Sequence, residues 1–490
     1  MTELVTRTEC TLTADPRRVV ARLFIPGQEL VMDRQSRAAS VIDRVLALSE
    51  EKVRATFSEL AASYTSRHRD LPGILAAHYE QIVHLVPEAD SLSDDRRALI
   101  GAVFTNEYSI EGAALFNPSV VEHPDQSGLG EGQRRFVLSL RAVGEGHLSS
   151  IEFRTGTIGP GPTLSLDEAS PHVEIGTIEP TSYDRELFAA KLEDEGGSAE
   201  SIAYFLHTVP ATFDEGQLEH ALATLNRRRI TRQGGPRTDN LARRIANCSY
   251  EATFSPRTSI SERVLWPEAP SETHGLEDAR FVRFVEEDGT ARYRATYTAF
   301  DGAGITPQVI DTVDFARFRI SQLAGPAARD KGLALFPRQV GGRYLALTRS
   351  DRETCGISSS ADGHWWAEPV HLHGPSQPWE VIQTGNCGSP IETEAGWVML
   401  THGVGPMREY AIGALLLDLH RPELVIGSLA EPLLRPAADE RDGYVPNVVY
   451  SCGALRHGDN LLLPYGASDD SVRFAFIDLP LLVERLTAGG

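Results

Sequence analysis

The segment GLEDARFVRF, residues 275–284, places two adjacent carboxylates, Glu277 and Asp278, directly ahead of an alternating apolar run, with Arg280 two residues beyond. Acidic residues are common where a loop enters a sheet, so the ordinary reading is a turn. Other residues in a common register change that reading. Five positions beyond Phe136, Tyr293, Tyr344, Trp397 and Asn460 stand Arg141, Thr298, Arg349, His402 and Tyr465. Each closes an otherwise apolar run with a group that can hydrogen-bond. A carboxyl group can give up or take a proton, and the planar fork of arginine grips two oxygens of an anion at once. Two arginines and a histidine in one register suggest a shared site rather than five separate strand ends.

The chain that must position these groups has 490 residues, enough for one large domain with an accessory region. A hydrophobic content of 41% and a charged content of 23% are those of a globular protein. The net charge of −21 argues against a nucleic-acid-binding surface and against docking on anionic lipid. Five scattered cysteines without a C-x-x-C pair fit free thiols in a reducing compartment, and the sequon at Asn247 is then a chance match. The opening stretch MTELVTRTECTLTADPRRVV lacks the apolar segment of a signal peptide, and no apolar run reaches 18 residues. A cytoplasmic protein is expected.

Residues 36–98 read as helical, with Val41, Ile42, Val45, Leu46, Val53 and Phe57 near helical spacing. A second helical block is expected at about 183–246. Both blocks read as packing or self-association elements, which makes a homo-oligomer plausible. From about residue 113 the remaining texture is short strands and turns. Five segments share one plan, an apolar strand, a turn and a second strand ending in a polar residue: 116–141, 277–298, 335–349, 388–402 and 446–465. With Asn117, Asp278, Leu335, Ser389 and Asn447 as markers, the last three intervals are 57, 54 and 58 residues, and the first, 161, accommodates the helical block. A repeat near 50 residues made of antiparallel strands is the mark of a β-propeller blade. The expected fold is therefore mainly β: a five-bladed β-propeller with an N-terminal helical region and a helical insertion. The expected domains are a mostly helical region over 1–106 and the propeller over 107–480. In that fold the five strand ends converge around one axial pocket.

These segments resemble glycoside hydrolase family 130, β-mannoside phosphorylases and β-mannosidases on a five-bladed propeller. The resemblance rests on FNPSVV, SLRAVGEGHLSSIEFRTG, GLEDARF, ATYTAFDG, KGLALFPRQVGGRYLALTR, GNCGSPIETEAGWVMLTHGVG, YAIGALLLDL, GYVPNVVYSCG and LPYGASD, in order over about 107–478. The family's GxEDPR motif is similar to GLEDAR here, with Ala279 in place of proline. The resemblance implies that Asp278 is the general acid, its proton reaching the glycosidic oxygen through a sugar hydroxyl. Burial beside another carboxylate is expected to raise its pKa. It also implies inverting phosphorolysis, in which inorganic phosphate is co-substrate and nucleophile and no cofactor or metal is required. Phosphate-binding candidates are Arg141, Lys331, Arg338, Arg349, His402 and Tyr410. Candidates for sugar hydroxyls are Asn117, Glu277, Tyr297, Asp301, Asn447 and Asp469. Glu277 and Arg280 would also serve to orient Asp278. A hydrolase would need a second carboxylate, with the pair about 6.5–9.5 Å apart; Glu251, Glu380, Glu392 and Asp469 are available. A non-catalytic glycan-binding propeller is the reading from another class. HLH at 371–373 lacks a third ligand, and GEGH at 144–147 lacks the strand–loop–helix setting of a phosphate loop.

Overall fold

A run of alternating residues closes into a sheet only when its edges find partners, and here antiparallel neighbours in sequence supply them. The computed structural model describes residues 4–26, 36–228 and 235–488. Two compact units emerge. The larger comprises Met1–Ala14, Ala113–Ala169 and Ile175–Gly490, and the smaller Asp15–Gly112 with Ser170–Glu174.

The larger unit is mainly β. Its first antiparallel run joins Ala114–Glu122, Arg134–Val143, Ser149–Ile158 and Leu164–Leu166. The second joins Gly275–Val285, Ala291–Phe300, Ile305–Thr312 and Arg317–Gln322, and meets the first through the parallel pair Gly275 and Ser149. The third joins Ala334–Leu335, Tyr344–Thr348, Cys355–Ser360 and Val370–His373. In the fourth, Gly396–Val404 and Tyr410–Leu417 are flanked by Gln383–Asn386, Ile391–Thr393 and Val425–Ser428. In the fifth, Asn460–Ala467 pairs with Ser471–Asp478, which pairs in turn with Val5–Thr13. Strands such as Gly396–Val404 are buried along their whole length, which explains why they read as continuous apolar runs.

Four helices, Arg185–Asp194, Ala199–Thr208, Glu215–Arg228 and Gly235–Ala246, also belong to the larger unit. Asp184 and Ser198 cap the first two by accepting from the Leu187 and Ser201 amides. Their apolar faces meet over Phe188, Leu192, Phe205, Leu222 and Ile245. Residues 229–234 of the expected block lie outside the described residues.

The smaller unit carries helices Arg37–Leu46, Glu50–Tyr64, Leu71–Ile82 and Asp94–Val103, each opened by a side-chain cap from Ser36, Ser49, Asp70 or Ser93. Its core holds Ile42, Val53, Tyr79, Ile82, Ile100 and Phe104.

The mainly β chain with helical regions expected from sequence is present. The unit boundaries differ from the expected break at 106/107. Residues 5–13, VTRTECTLT, alternate exposed and half-buried positions as an edge strand does, and their pairing with Ser471–Asp478 places them in the larger unit. The smaller unit then runs on to Gly112.

Candidate active site

Two strands break register at the residues that matter. Pairing of Ala114–Glu122 slips between Phe116 and Ser119, and pairing of Gly275–Val285 slips between Glu277 and Arg280. Inside each bulge sits a left-handed residue, Asn117 at φ 49° and Asp278 at φ 54°. Left-handed backbone is costly for most side chains and is tolerated best by Asn and Asp. A bulge turns a side chain away from the pleat, so both carboxamide and carboxylate are aimed off the sheet. This explains why a carboxylate opens an apolar strand. Asn447 and Asp469, at the mouths of later strands, share the left-handed backbone at φ 63° and 51°.

These residues line one cavity of about 910 Å³, together with Arg141, Lys331, Arg349, His402 and Tyr410. Asp278 is buried at 6% exposure and accepts from Asn117 Nδ2 at 2.6 Å. Arg141 Nη1 lies 3.7 Å from Asp278 Oδ1, while Arg141 Nη2 donates to Glu277 Oε1 at 2.6 Å. Arg280 donates to the Asp278 carbonyl at 2.9 Å and to the Tyr450 hydroxyl at 2.7 Å. Glu277 and Arg280 therefore brace the bulge from both sides.

Burial alone would push the Asp278 carboxyl up, but Arg141, Arg280, Lys331 and the Asn117 hydrogen bond outweigh it and hold it below the usual carboxylate range. That reverses the expectation of a raised pKa, because the second carboxylate is outnumbered by cations. Asp469 goes the other way. Burial and the neighbouring Asp278 charge push it up to about 6 against the pull of Arg141 and Lys331.

The second half of the cavity is cationic. Arg349 Nη1 donates to His402 Nε2 at 3.0 Å, and His402 Nδ1 faces the Asn386 carbonyl at 3.3 Å. That geometry assigns the His402 proton to Nδ1. Burial, Arg349, Arg280 and Lys331 drive its pKa well below the ordinary histidine value, so the ring is neutral. It acts as a fixed acceptor that aims Arg349 and carries no charge of its own. Tyr410 stacks on it, with ring centroids 6.2 Å apart and an interplanar angle of 14°. Gly385, paired with His402 across the strands, allows this approach, since a Cβ there would meet the His402 ring and the Arg349 chain.

Four predicted residues do not line the cavity: Glu277, which is held by Arg141 rather than presented to a sugar, and Arg338, Tyr297 and Asp301. Arg338 is held by both Glu392 oxygens, at 2.8 and 2.5 Å, and lies over the Trp397 ring, so it does not reach the cavity. Tyr297 turns to the opposite strand face, where its hydroxyl meets Glu272 and Gln308. Asp301 caps its own turn through the Ala303 and Gly304 amides, and the neighbouring Phe300, Ala303 and Gly304 line the cavity in its place. Of the carboxylates considered for a hydrolase, Glu251 pairs with Arg317, Glu380 with His373, and Glu392 with Arg338. Only Asp469 of those four lines the cavity. His373 of the HLH stretch is thereby a structural partner. Arg352, Gln383, Met407, Arg408 and Tyr450 also line the cavity and were not anticipated. Tyr450 lies within the GYVPNVVYSCG stretch and Gln383 opens the strand Gln383–Asn386, while Arg352, Met407 and Arg408 sit between strands and carry no periodic signal. Among the described residues no cluster of three or more His, Cys, Asp or Glu could hold a metal ion. No helix of the described residues is long and apolar enough to cross a membrane.

A single cavity thus places a buried acid beside a cation patch, on a mainly antiparallel scaffold. Comparison with known proteins sharpens this. A family profile described as beta-1,4-mannooligosaccharide phosphorylase matches residues 250–487. The chain is 31% identical over 227 residues to a 1,2-beta-oligomannan phosphorylase of Thermoanaerobacter sp., covering 45% of this chain and 74% of that one. It is 33% identical over 218 residues to a Beta-1,2-mannobiose phosphorylase of Listeria innocua, covering 42% of this chain but only 59% of that protein's length. The solved Listeria innocua Beta-1,2-Mannobiose phosphorylase, in complex with beta-1,2-mannobiose, superposes with a TM-score of 0.46 at 22% identity, over 78% of this chain and 93% of that one. The chain belongs to glycoside hydrolase family 130.

Proposed function

We propose that this protein is an inverting β-mannoside phosphorylase whose five antiparallel runs are the blades of a β-propeller. It would convert a β-mannosyl di- or oligosaccharide and inorganic phosphate into α-mannose 1-phosphate and a shortened sugar. The observation that carries this reading is the Arg349–His402 pair with Lys331 in the same cavity as Asp278. Phosphate is already a nucleophile, so the site has to hold it in line rather than deprotonate it. Arg349, aimed by neutral His402, supplies the planar fork, Lys331 a point charge and Tyr410 a hydroxyl donor. A phosphate oxygen attacks the anomeric carbon from the face opposite the departing sugar. As that C–O bond breaks, the Asp278 proton passes through a sugar hydroxyl to the leaving oxygen.

The depressed pKa of Asp278 fits this order of events. In the free site the carboxylate is ionised and held by Arg141 and Asn117. A bound phosphate dianion would offset the surrounding cations and draw the Asp278 pKa upward, so the acid is charged with a proton only when the nucleophile is in place. Asn117, Asn447 and Asp469 suit sugar hydroxyls, because carboxylate and carboxamide oxygens accept more than one hydrogen bond.

Consumption of a β-mannosyl disaccharide with and without inorganic phosphate tests the reading. Phosphate-dependent release of mannose 1-phosphate is expected, and equal release of free mannose under both conditions would overturn it. Asp469 gives specific support to a second reading, a β-mannosidase. It is a carboxyl group near pKa 6 in the same cavity, suited to activating water. The linkage class would then be the same and the nucleophile different.

A further inference from the structure

Away from the catalytic cavity, the larger unit encloses a second space of about 560 Å³, where helix Arg185–Asp194 and residues 245–249 meet the strands Ile305–Thr312 and Arg317–Gln322. That size is in the range of small-molecule pockets. Its lining combines the rings of Tyr183 and Phe188 with Lys191, Arg319, Asp311 and His364.

The polar groups around Asp311 are incompletely matched. Arg294 stands opposite Asp311 in the strand pairing, with Nε 2.9 Å from Oδ1, and Arg292 Nε is 4.0 Å from the same oxygen. Arg292 Nε and His364 Nδ1, on two residues that line the space, are nonetheless buried without a hydrogen-bond partner. A buried polar atom left unmatched is destabilising. Two such atoms in the lining of one cavity point to something polar that occupies it.

The charge of the lining selects the class of occupant. Lys191, Arg292 and Arg319 face Asp184, Glu186, Asp311 and Asp362, and burial beside Arg294 lowers the His364 pKa, which favours the neutral ring. Unlike the catalytic cavity, this one has no excess of cations to hold phosphate. Arg292 Nε donates and a neutral imidazole nitrogen donates or accepts, so a hydroxyl suits both. Tyr183 and Phe188, mostly buried among the helices, add an apolar border to the lining. We propose that this space is a second, non-catalytic binding site for a neutral polyhydroxylated ligand, a hexose unit of a glycan. The site stands independently of which reaction the catalytic cavity performs.

Calorimetric titration of β-1,2-mannobiose and of mannose into Asp278→Asn protein, in phosphate-free buffer, tests this. Two classes of site are expected in that background, and one when Ser321→Trp fills the second space. Should Ser321→Trp fail to fold, Lys191→Met and Arg319→Gln remove donors without filling the space, and each is expected to weaken the second class about 10-fold. Phosphate-dependent turnover in the otherwise native enzyme should survive all three substitutions, which separates failure of this site from failure of the phosphorylase reading. A single class indifferent to the substitutions, soaked crystals with only water in the space, or inorganic phosphate competing for the second class would each overturn the proposal.

Discussion

Two buried polar clusters flank the second antiparallel run, and they differ in how far they are satisfied. Around Glu272 the carboxylate accepts from the Tyr250 hydroxyl at 3.0 Å, from the Glu268 and Ala269 amides at 2.9 Å each, and from Tyr297, whose hydroxyl also meets Gln308. Around Asp278 the geometry is open. Asn117 Oδ1, Arg141 Nε, Arg280 Nε and Arg349 Nε are buried without partners. A closed network rigidifies a core, while an incomplete one keeps its directional capacity for something that arrives. The difference separates structural polarity from functional polarity more reliably than residue type does, since both clusters contain a carboxylate, a carboxamide and tyrosine.

The largest effect that would sharpen this contrast is on turnover. Asp278→Asn should lower kcat by about 10²–10⁴, the range of a lost general acid, with sugar binding largely kept. Unchanged turnover would assign the acid to another residue. Arg349→Met should raise the KM for phosphate about 10–100-fold, as expected for a lost charge-assisted contact, with a smaller change in the KM for sugar. Glu272→Ala should do the reverse. With three donors left unpaired, the Tyr250 hydroxyl and the Glu268 and Ala269 amides, at about 1–3 kcal/mol each, the melting temperature should fall steeply while the folded fraction keeps its specific activity.

A pH prediction follows from Asp469. Its carboxyl is raised from 3.8 to about 6, so the folded protein binds more protons than the unfolded chain between those values. Stability from this group therefore falls as pH rises from 3.8 through about 6. Asp469→Asn should remove that slope, measured as melting temperature against pH, along with any limb near 6 in the activity profile. The smallest effect belongs to Arg338→Ala. Its half-exposed pair with Glu392 contributes about 0–1 kcal/mol, and the phosphate KM should not move. A rise there would put Arg338 back among the phosphate ligands.

Much of the cavity was legible because repeated strands carry it. Of the five strand-end residues in one register, Arg141, Arg349 and His402 reach the cavity with Asp278, while Thr298 and Tyr465 do not line it, the Tyr465 hydroxyl donating to Glu440 instead. The same register shows where reading failed. Tyr297 precedes the strand-end position by one residue, and in a strand one residue means the opposite face. The protonation of Asp278 was misjudged because sequence shows which charges exist but not how many converge. Arg352, Met407 and Arg408 sit on loops at positive φ, without periodicity to mark them. The space beside helix Arg185–Asp194 was invisible for another reason: its lining is drawn from segments more than a hundred residues apart.

The pairing of Val5–Thr13 with Ser471–Asp478 sets an order on biosynthesis. Val5–Thr13 is made more than 450 residues before the strand it pairs with, so this pairing cannot form until both have been synthesised. Contacts of such sequence separation form slowly, and the final sheet is the part of this protein most dependent on protection of the nascent chain.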